Sequence, residues 1–548
     1  MPTSLVNLDA FIKREDFSEI TTSPATLQTT PTAILISELE PERIWQQLLR
    51  KPDFQRETAN WDAKRVGELI ESFAKGDLIP AIILWRANSG NIFVIDGSHR
   101  LSALIAWVRD DYGDKEMSRN FFQNYIPKEQ IKAAEQTRKL VEESVGSYQE
   151  LNATLKNPSN SSEEKKQIAR RVFGGGIQLQ WVPGDYITAE RSYFKINMQS
   201  VTIDKTELDI ILCRKKPNAL ATRSLIRAGT GHKYWSKFSK EIQTDIENPA
   251  RDIYDTMFKP PMETPLRTLD LPIAGKGYSG ESLKMVFDLV NLVNNVSPGM
   301  WHQKTIKRRK VKATDITDIV LPDDDDGLQT LQYLKEVRKI ATRIGSNEDR
   351  SLGLHPVVYF YGATGRFLPM TFLAVAAFIK DLENKDAFVK FTEVRSKFED
   401  FLLEHRDFVN QIGHEIYGGE KRIKATLLMY KVLFNELTNR SSIAHIIEQM
   451  KSHAELKFLH EATPENIEYG KDFSSDTKSA VYLREAIDKS LKCTICNARL
   501  HFKSISFDHK ERKQDGGLGT PDNAQLTHPY CNSGYKEWLN AQKDRQGR

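Results

Sequence analysis

CTICNARLHFKSISFDHKERKQDGGLGTPDNAQLTHPYCNSGYK, residues 493–536, holds three of the four cysteines of a 548-residue chain. Cys493-x2-Cys496, followed at a distance by His528-x2-Cys531, is ligand spacing for a tetrahedral zinc site of three thiolates and one imidazole. Each knuckle turns both of its ligands toward one ion. Between the knuckles lie Asp508-His509 at the end of the apolar alternation Ile505-Ser506-Phe507, a Gly516-Gly517 turn and Asn523; Asn532 directly follows the last ligand. On a strand, Ser506 and Asp508 point to one face and Phe507 and His509 to the other. So short a segment buries no core of its own, which gives zinc the role of a staple.

In this order the residues resemble an HNH nuclease with a zinc-bound ββα-metal fold: C-x2-C, D-H, G-G, N, then x-x-C-N before a helix. The resemblance covers about the last tenth of the chain. It implies that His509 is the general base that activates water, that Asp508 and Asn532 hold one divalent ion, and that Asn523 orients the His509 ring. The chemistry agrees. Hydrolysing a phosphodiester needs a base titrating near neutrality, which imidazole supplies, and a hard cation for the charge on the scissile phosphate and leaving oxygen. Carboxylate and amide oxygens suit Mg²⁺ or Mn²⁺, whereas thiolates suit zinc, so two metals with different tasks are expected. A zinc ribbon that only grips DNA or protein is the plainer alternative, but it has no use for the Asp-His pair and both asparagines.

The length allows about three domains with real cores. Charged residues make up 28% of the chain, yet the formal net charge is only +4, so any DNA-binding surface must be local. The opening MPTSLVNLDAFIKRED lacks the basic start and apolar core of a signal peptide. The longest apolar run, Phe367–Ile379, is too short to span a bilayer and reads as a buried helix, so no membrane partner is expected. Few cysteines, most in ligand positions, argue for a reducing compartment, the cytoplasm. Cys213 reads as a free, buried thiol.

Residues 1–36, rich in Thr, Ser and Pro, read as an extended N-terminal arm. Helices are expected over Glu38–Leu49 and Trp61–Lys75, the second with Val66, Leu69, Ile70 and Phe73 as one apolar stripe closed by Gly76. Leu78–Trp85 and Asn91–Ile95, joined by Asn88-Ser89-Gly90, read as a hairpin. Asp96-Gly97-Ser98-His99-Arg100 then leads into a helix with Leu101, Leu104, Ile105 and Val108 on one side. Gly97-Ser98 at a helix N-terminus favours an anion, and Arg100 is placed to clamp a phosphate. A plain strand-to-helix turn capped by Ser98 explains the dipeptide Asp96-Gly97 as well.

Together with a second block, Ala189-Glu190-Arg191-Ser-Tyr-Phe194-Lys-Ile-Asn197 followed by Val201, Ile203 and Glu207, this turn resembles the ParB/sulfiredoxin-like superfamily. The similarity is to the N-terminal domain of GmrSD-type restriction enzymes, whose motif reads DGQQR, and to DGQHR proteins. It spans about residues 37–216 and implies an α/β domain that binds and hydrolyses a nucleoside triphosphate. Asp96 and Arg100 would sit at the phosphates, with Gly97, Ser98, His99 and Asn197 completing the nucleotide site. This sequence departs from DGQQR at Ser98 and His99.

Residues 217–484 read as an α-helical middle domain and 485–548 as the HNH domain, giving an α+β multidomain chain. Within the middle, Lys304–Lys312 is a basic run that would lie along DNA phosphates; a solvated loop beside the acidic block Asp323–Asp326 is the plainer reading. His355-Pro356 and Gly362–Arg366 suggest a loop near a site, and a turn before the buried helix explains them as well; Gly174–Gly176 could approach a phosphate, but a flexible connector is the commoner explanation. The whole reads as a metal-dependent DNA endonuclease regulated by a nucleotide-binding or modification-sensing N-terminal domain in anti-phage defence. DNA and nucleotide are its partners, and a homo-oligomer is compatible with it. The alternative is a nucleotide-sensing DNA-binding regulator that does not cut.

Overall fold

The computed structural model describes residues 5–16, 30–55, 57–200, 205–277, 280–297, 300, 321–461 and 472–546. The chain divides into two compact units. Met1–Leu220, Gly229–Lys237 and Tyr278–Lys284 form the first; Ala221–Ala228, Phe238–Gly277 and Met285–Arg548 form the second.

The first unit is built on a mixed six-stranded sheet of β1 (Lys13–Glu15), β2 (Ala33–Leu35), β3 (Leu49–Pro52), β4 (Ile82–Arg86), β5 (Ile92–Asp96) and β6 (Gly176–Trp181), ordered β1-β3-β5-β4-β6-β2. β4 and β5 form the expected hairpin, with Leu84 opposite Val94 and Trp85 opposite Phe93. Both faces of β5 are buried, which is why Ile92–Ile95 reads as an unbroken apolar run. Ile92 and Val94 pack with α1 (Ala63–Lys75) and α2 (Ser98–Arg109). Phe93 and Ile95, on the opposite face, pack with Ala189 and Tyr193 of α3 (Tyr186–Ser200). Helix α1 buries Val66, Ile70 and Phe73; the Asp62 carboxylate caps it by accepting from the Arg65 N–H, and Gly76 closes it.

Two expectations for this unit are corrected. Residues 5–16 are not an arm: β1 pairs in parallel with β3, and Val6, Leu8, Phe11 and Ile12 are core. The polar letters conceal this because their charges are satisfied inside. The buried Asp9 carboxylate meets Arg14 at 2.7 Å and Lys51 at 2.8 Å. The helix expected over Glu38–Leu49 is instead a 3-10 turn (Ile36–Leu39), one short helical segment (Ile44–Leu48) and then β3. Pro41, which has no N–H to donate, interrupts it.

The second unit is mainly helical: α4 (Lys240–Phe258), α5 (Leu328–Gly345), α6 (Pro369–Asn384), α7 (Phe388–Glu404) and α8 (Gly419–Thr438). Its centre is aromatic, with Phe378 of α6 stacked on Phe398 of α7 at 5.7 Å and both rings against Tyr430 of α8. The longest apolar run becomes the buried α6; among the described residues no helix is long and apolar enough to cross a membrane. The acidic block is not wholly a solvated loop. The buried Asp324 carboxylate accepts from the backbone N–H groups of Gly327 and Thr330 and from the Thr330 hydroxyl, and so starts α5. The basic run Lys304–Lys312 lies outside the described residues.

Candidate functional site

Within the second unit, β7 (Ser506–His509) and β8 (Ala524–Thr527) pair antiparallel, setting Asp508 opposite Gln525 and His509 opposite Ala524. The two knuckles converge beside this hairpin. One ligand atom from each of Cys493, Cys496, His528 and Cys531 lies within 4.8 Å of all the others, and three of the four residues are buried. His528 directs Nε2 to the Arg499 carbonyl at 3.0 Å, which makes that nitrogen the donor and leaves Nδ1 facing the sulfurs. Burial, then the charge of Arg395, holds His528 below its ordinary pKa, so the ring stays neutral. The sulfurs compete for one negative charge. Hydrogen bonds from Cys496 and Cys531 hold the Cys493 thiol far below its usual range, while the bond to Cys493 pushes Cys496 up to about 12 and raises Cys531 as well. Three thiolates so close together require a cation, and the S₃N donor set fits zinc.

The knuckles are seated on the helical part of the same unit. Arg395 of α7 is 1% exposed; its guanidinium reaches Glu399 at 2.8 Å and donates to the carbonyls of Leu352 and Gly353. Glu399, fully buried, accepts from the Arg499 N–H at 2.8 Å, within the finger. The Tyr530 N–H, between the last two ligands, donates to the Ser351 carbonyl at 2.9 Å. Gly353 has φ +57°, and a Cβ there would come within 2.7 Å of Ser504 and 3.2 Å of the His528 ring, so only glycine allows this approach.

The residues expected to do chemistry lie on the hairpin and the turn after Cys531. Both oxygens of the Asp508 carboxylate are 2.8 Å from the Lys536 ammonium, and Oδ2 accepts from Gln525 Nε2 at 2.7 Å. Asn532 donates Nδ2 to Ser506 Oγ at 2.9 Å, on the strand face that also carries Asp508. His509 is half-buried at the end of β7, and its carbonyl accepts from Lys536 at 2.6 Å. Asn523 does not take the role expected for it. Its amide oxygen accepts from the Glu511 N–H, and its Nδ2 donates to the carbonyls of Glu511 and Leu518, so it fixes the loop between the strands rather than the His509 ring.

Residues 493–537 match the family model described as HNH endonuclease. The finger is an HNH domain. Residues 39–213 match the model described as GmrSD restriction endonuclease, N-terminal domain. No curated protein and no solved structure matches the chain.

In the GmrSD N-terminal domain, Asp96 ends β5 and Ser98 begins α2, with Gly97 between them at φ +91°. A Cβ on Gly97 would meet Ile82 at 2.7 Å and Arg100 at 3.0 Å. Ser98 makes no side-chain cap to α2 and is buried. Arg100 is paired with Asp96 at 2.6 Å and also reaches the Ala81 carbonyl, so the two expected phosphate contacts hold each other. His99 is buried with its ring stacked on Trp61 at 5.5 Å. Asn197 lies on α3, its side chain outside the described residues.

Sequence reasoning passed over Gln525, Arg395 and Glu399, and read Lys536 only as one of several basic residues suited to a phosphate backbone rather than as the partner of Asp508. Lys536 stands four residues after Asn532, one turn on, and Arg395-x3-Glu399 is an i,i+4 pair; either spacing was a signal.

Proposed function

We propose that this chain is a metal-dependent DNA endonuclease whose HNH site hydrolyses a phosphodiester. The carrying observation is that Asp508 and His509 lie on one strand of a hairpin beside the Cys₃His cluster, and that Asn532 is hydrogen-bonded to Ser506 of that same strand. His509 serves as general base and takes a proton from the attacking water at a ring nitrogen. Asp508 and Asn532 present hard oxygen donors that suit Mg²⁺ or Mn²⁺, and such an ion supplies charge stabilisation at the scissile phosphate and leaving oxygen. Asn523 keeps the loop after His509 in shape. Zinc, held by Cys493, Cys496, His528 and Cys531, is structural.

The GmrSD N-terminal domain would sense nucleotide or modified DNA and regulate cutting, in the manner of a restriction factor against phage. The turn Asp96–Arg100 supports an anion there once the Asp96–Arg100 pair opens; nucleoside triphosphate hydrolysis is part of the same proposal.

The test is supercoiled plasmid with Mg²⁺ or Mn²⁺, with and without nucleoside triphosphate, beside a His509→Ala variant. Nicking by the wild type that the substitution abolishes supports the nuclease. A second reading, a DNA-binding regulator that does not cut, is favoured by one observation: the Lys536 ammonium already sits on both oxygens of Asp508. Tight DNA binding without nicking under every metal condition would select it.

A further inference from the structure

Helix α5 carries Lys335, Arg338, Lys339, Thr342 and Arg343 at spacings of three and four, so they form one stripe along its outer face. With Glu348 and Arg350 from the following loop they line a cleft of about 220 Å³. That is below the range of about 300–1,000 Å³ usual for a small-molecule pocket, and the lining is charged rather than apolar. Five of the lining residues are cationic and one is anionic.

The nearby carboxylates offset only part of this charge. Glu383 pairs with Arg343 at 2.8 Å and with Lys339 at 3.2 Å, and Arg338 is shared between Glu348 at 3.1 Å and Asp252 at 3.7 Å. Lys335 and Arg350 form no ion pair among the described residues. A strip of cations with spare charge, exposed at Lys335, Arg338, Lys339 and Arg350 and buried only at Arg343, fits a polyanion.

Its position identifies which one. At the cleft's inner end Arg343 lies over the Phe388 ring at 4.5 Å and the Tyr530 ring at 5.9 Å. The loop that supplies Glu348 and Arg350 continues into Asp349 and Ser351, whose carbonyls accept from Ser533 Oγ at 2.6 Å and from the Tyr530 N–H. The cleft therefore borders the turn Tyr530–Ser533 that carries Asn532. We propose that this stripe is a track for the sugar-phosphate backbone of DNA, leading along α5 to the HNH site, with Lys335, Arg338 and Arg350 as its phosphate contacts. No base edge is read here: the cations offer charge without a built hydrogen-bonding pattern.

This inference rests on the nuclease reading but is tested apart from it. In a His509→Ala background, binding of a fluorescent duplex is followed by anisotropy across a salt series. The triple variant Lys335→Gln, Arg338→Gln, Arg350→Gln is compared with a charge-matched control, Lys421→Gln, Lys424→Gln, Lys457→Gln, elsewhere on the same unit. The track variant is expected to bind several-fold more weakly. The slope of log K against log salt should also shrink by about 0.9 for each contact removed. Unchanged affinity and slope would overturn the track, as would an equal loss in the control, which would mark a general charge effect. If the chain with His509 intact never nicks DNA while the track variant still loses binding, the nuclease reading falls and the track stands.

Discussion

Replacing Arg395 with Met tests how the HNH domain is held. The guanidinium is 1% exposed and serves three partners: the Glu399 carboxylate and the carbonyls of Leu352 and Gly353. The methionine fills much of the volume but leaves Glu399, itself fully buried, with only the Arg499 N–H at 2.8 Å and the Tyr359 hydroxyl at 3.3 Å. Stranding one partner of a buried pair costs about 3–5 kcal/mol. A second effect falls on the metal. Zinc with three thiolates carries a net negative charge, and the charge of Arg395 acts on Cys496 and Cys531. Loss of such an outer partner weakens metal affinity by about 10–100-fold. Denaturant unfolding of the full chain and zinc release to a chromophoric chelator measure the two effects separately. The double variant Arg395→Met, Glu399→Leu should recover much of the stability, because no buried charge is left alone, but not the zinc affinity. A single variant that unfolds and releases zinc like the wild type would refute the reasoning.

Three further outcomes follow from the geometry. Lys536→Met removes the ammonium that occupies both oxygens of Asp508, so direct calorimetric titration with Mn²⁺ should show several-fold tighter binding; equal affinity would mean that the lysine does not compete with the ion. Asp9→Asn leaves Arg14 and Lys51 buried without their anion and should destabilise the first unit by about 3–5 kcal/mol, read from denaturant unfolding. Gly97→Ala forces a side chain into the left-handed region against Ile82, costing about 1–2 kcal/mol for the backbone alone, and should lower the melting temperature even with no nucleotide present.

How far these features were legible depended on whether a residue's partner was near in sequence. The β4–β5 hairpin, the α1 stripe and the four zinc ligands follow from spacing, because each pattern is local or fixed by the ion. The strand Lys13–Glu15 was not legible: its Arg14 is satisfied by Asp9 and its Glu15 by Arg50, and the second of these partners lies far along the chain. For the same reason Arg395 and Glu399 drew no attention in the sequence, although Glu399 accepts from the Arg499 N–H of the finger. Asn523 was assigned to the His509 ring, whereas its side chain bonds to Glu511 and Leu518, since composition does not show that the loop after His509 needs three hydrogen bonds to keep its shape.

The seating of the knuckles on α7 bears on how portable the cutting module is. A fragment excised near residue 485 would keep every ligand yet lose the guanidinium behind the sulfurs and the carboxylate that receives the Arg499 amide. Grafted onto an unrelated carrier, such a piece would need a substitute cradle. Transplantation would have to begin upstream of Ser351, taking the bundle along with the blade.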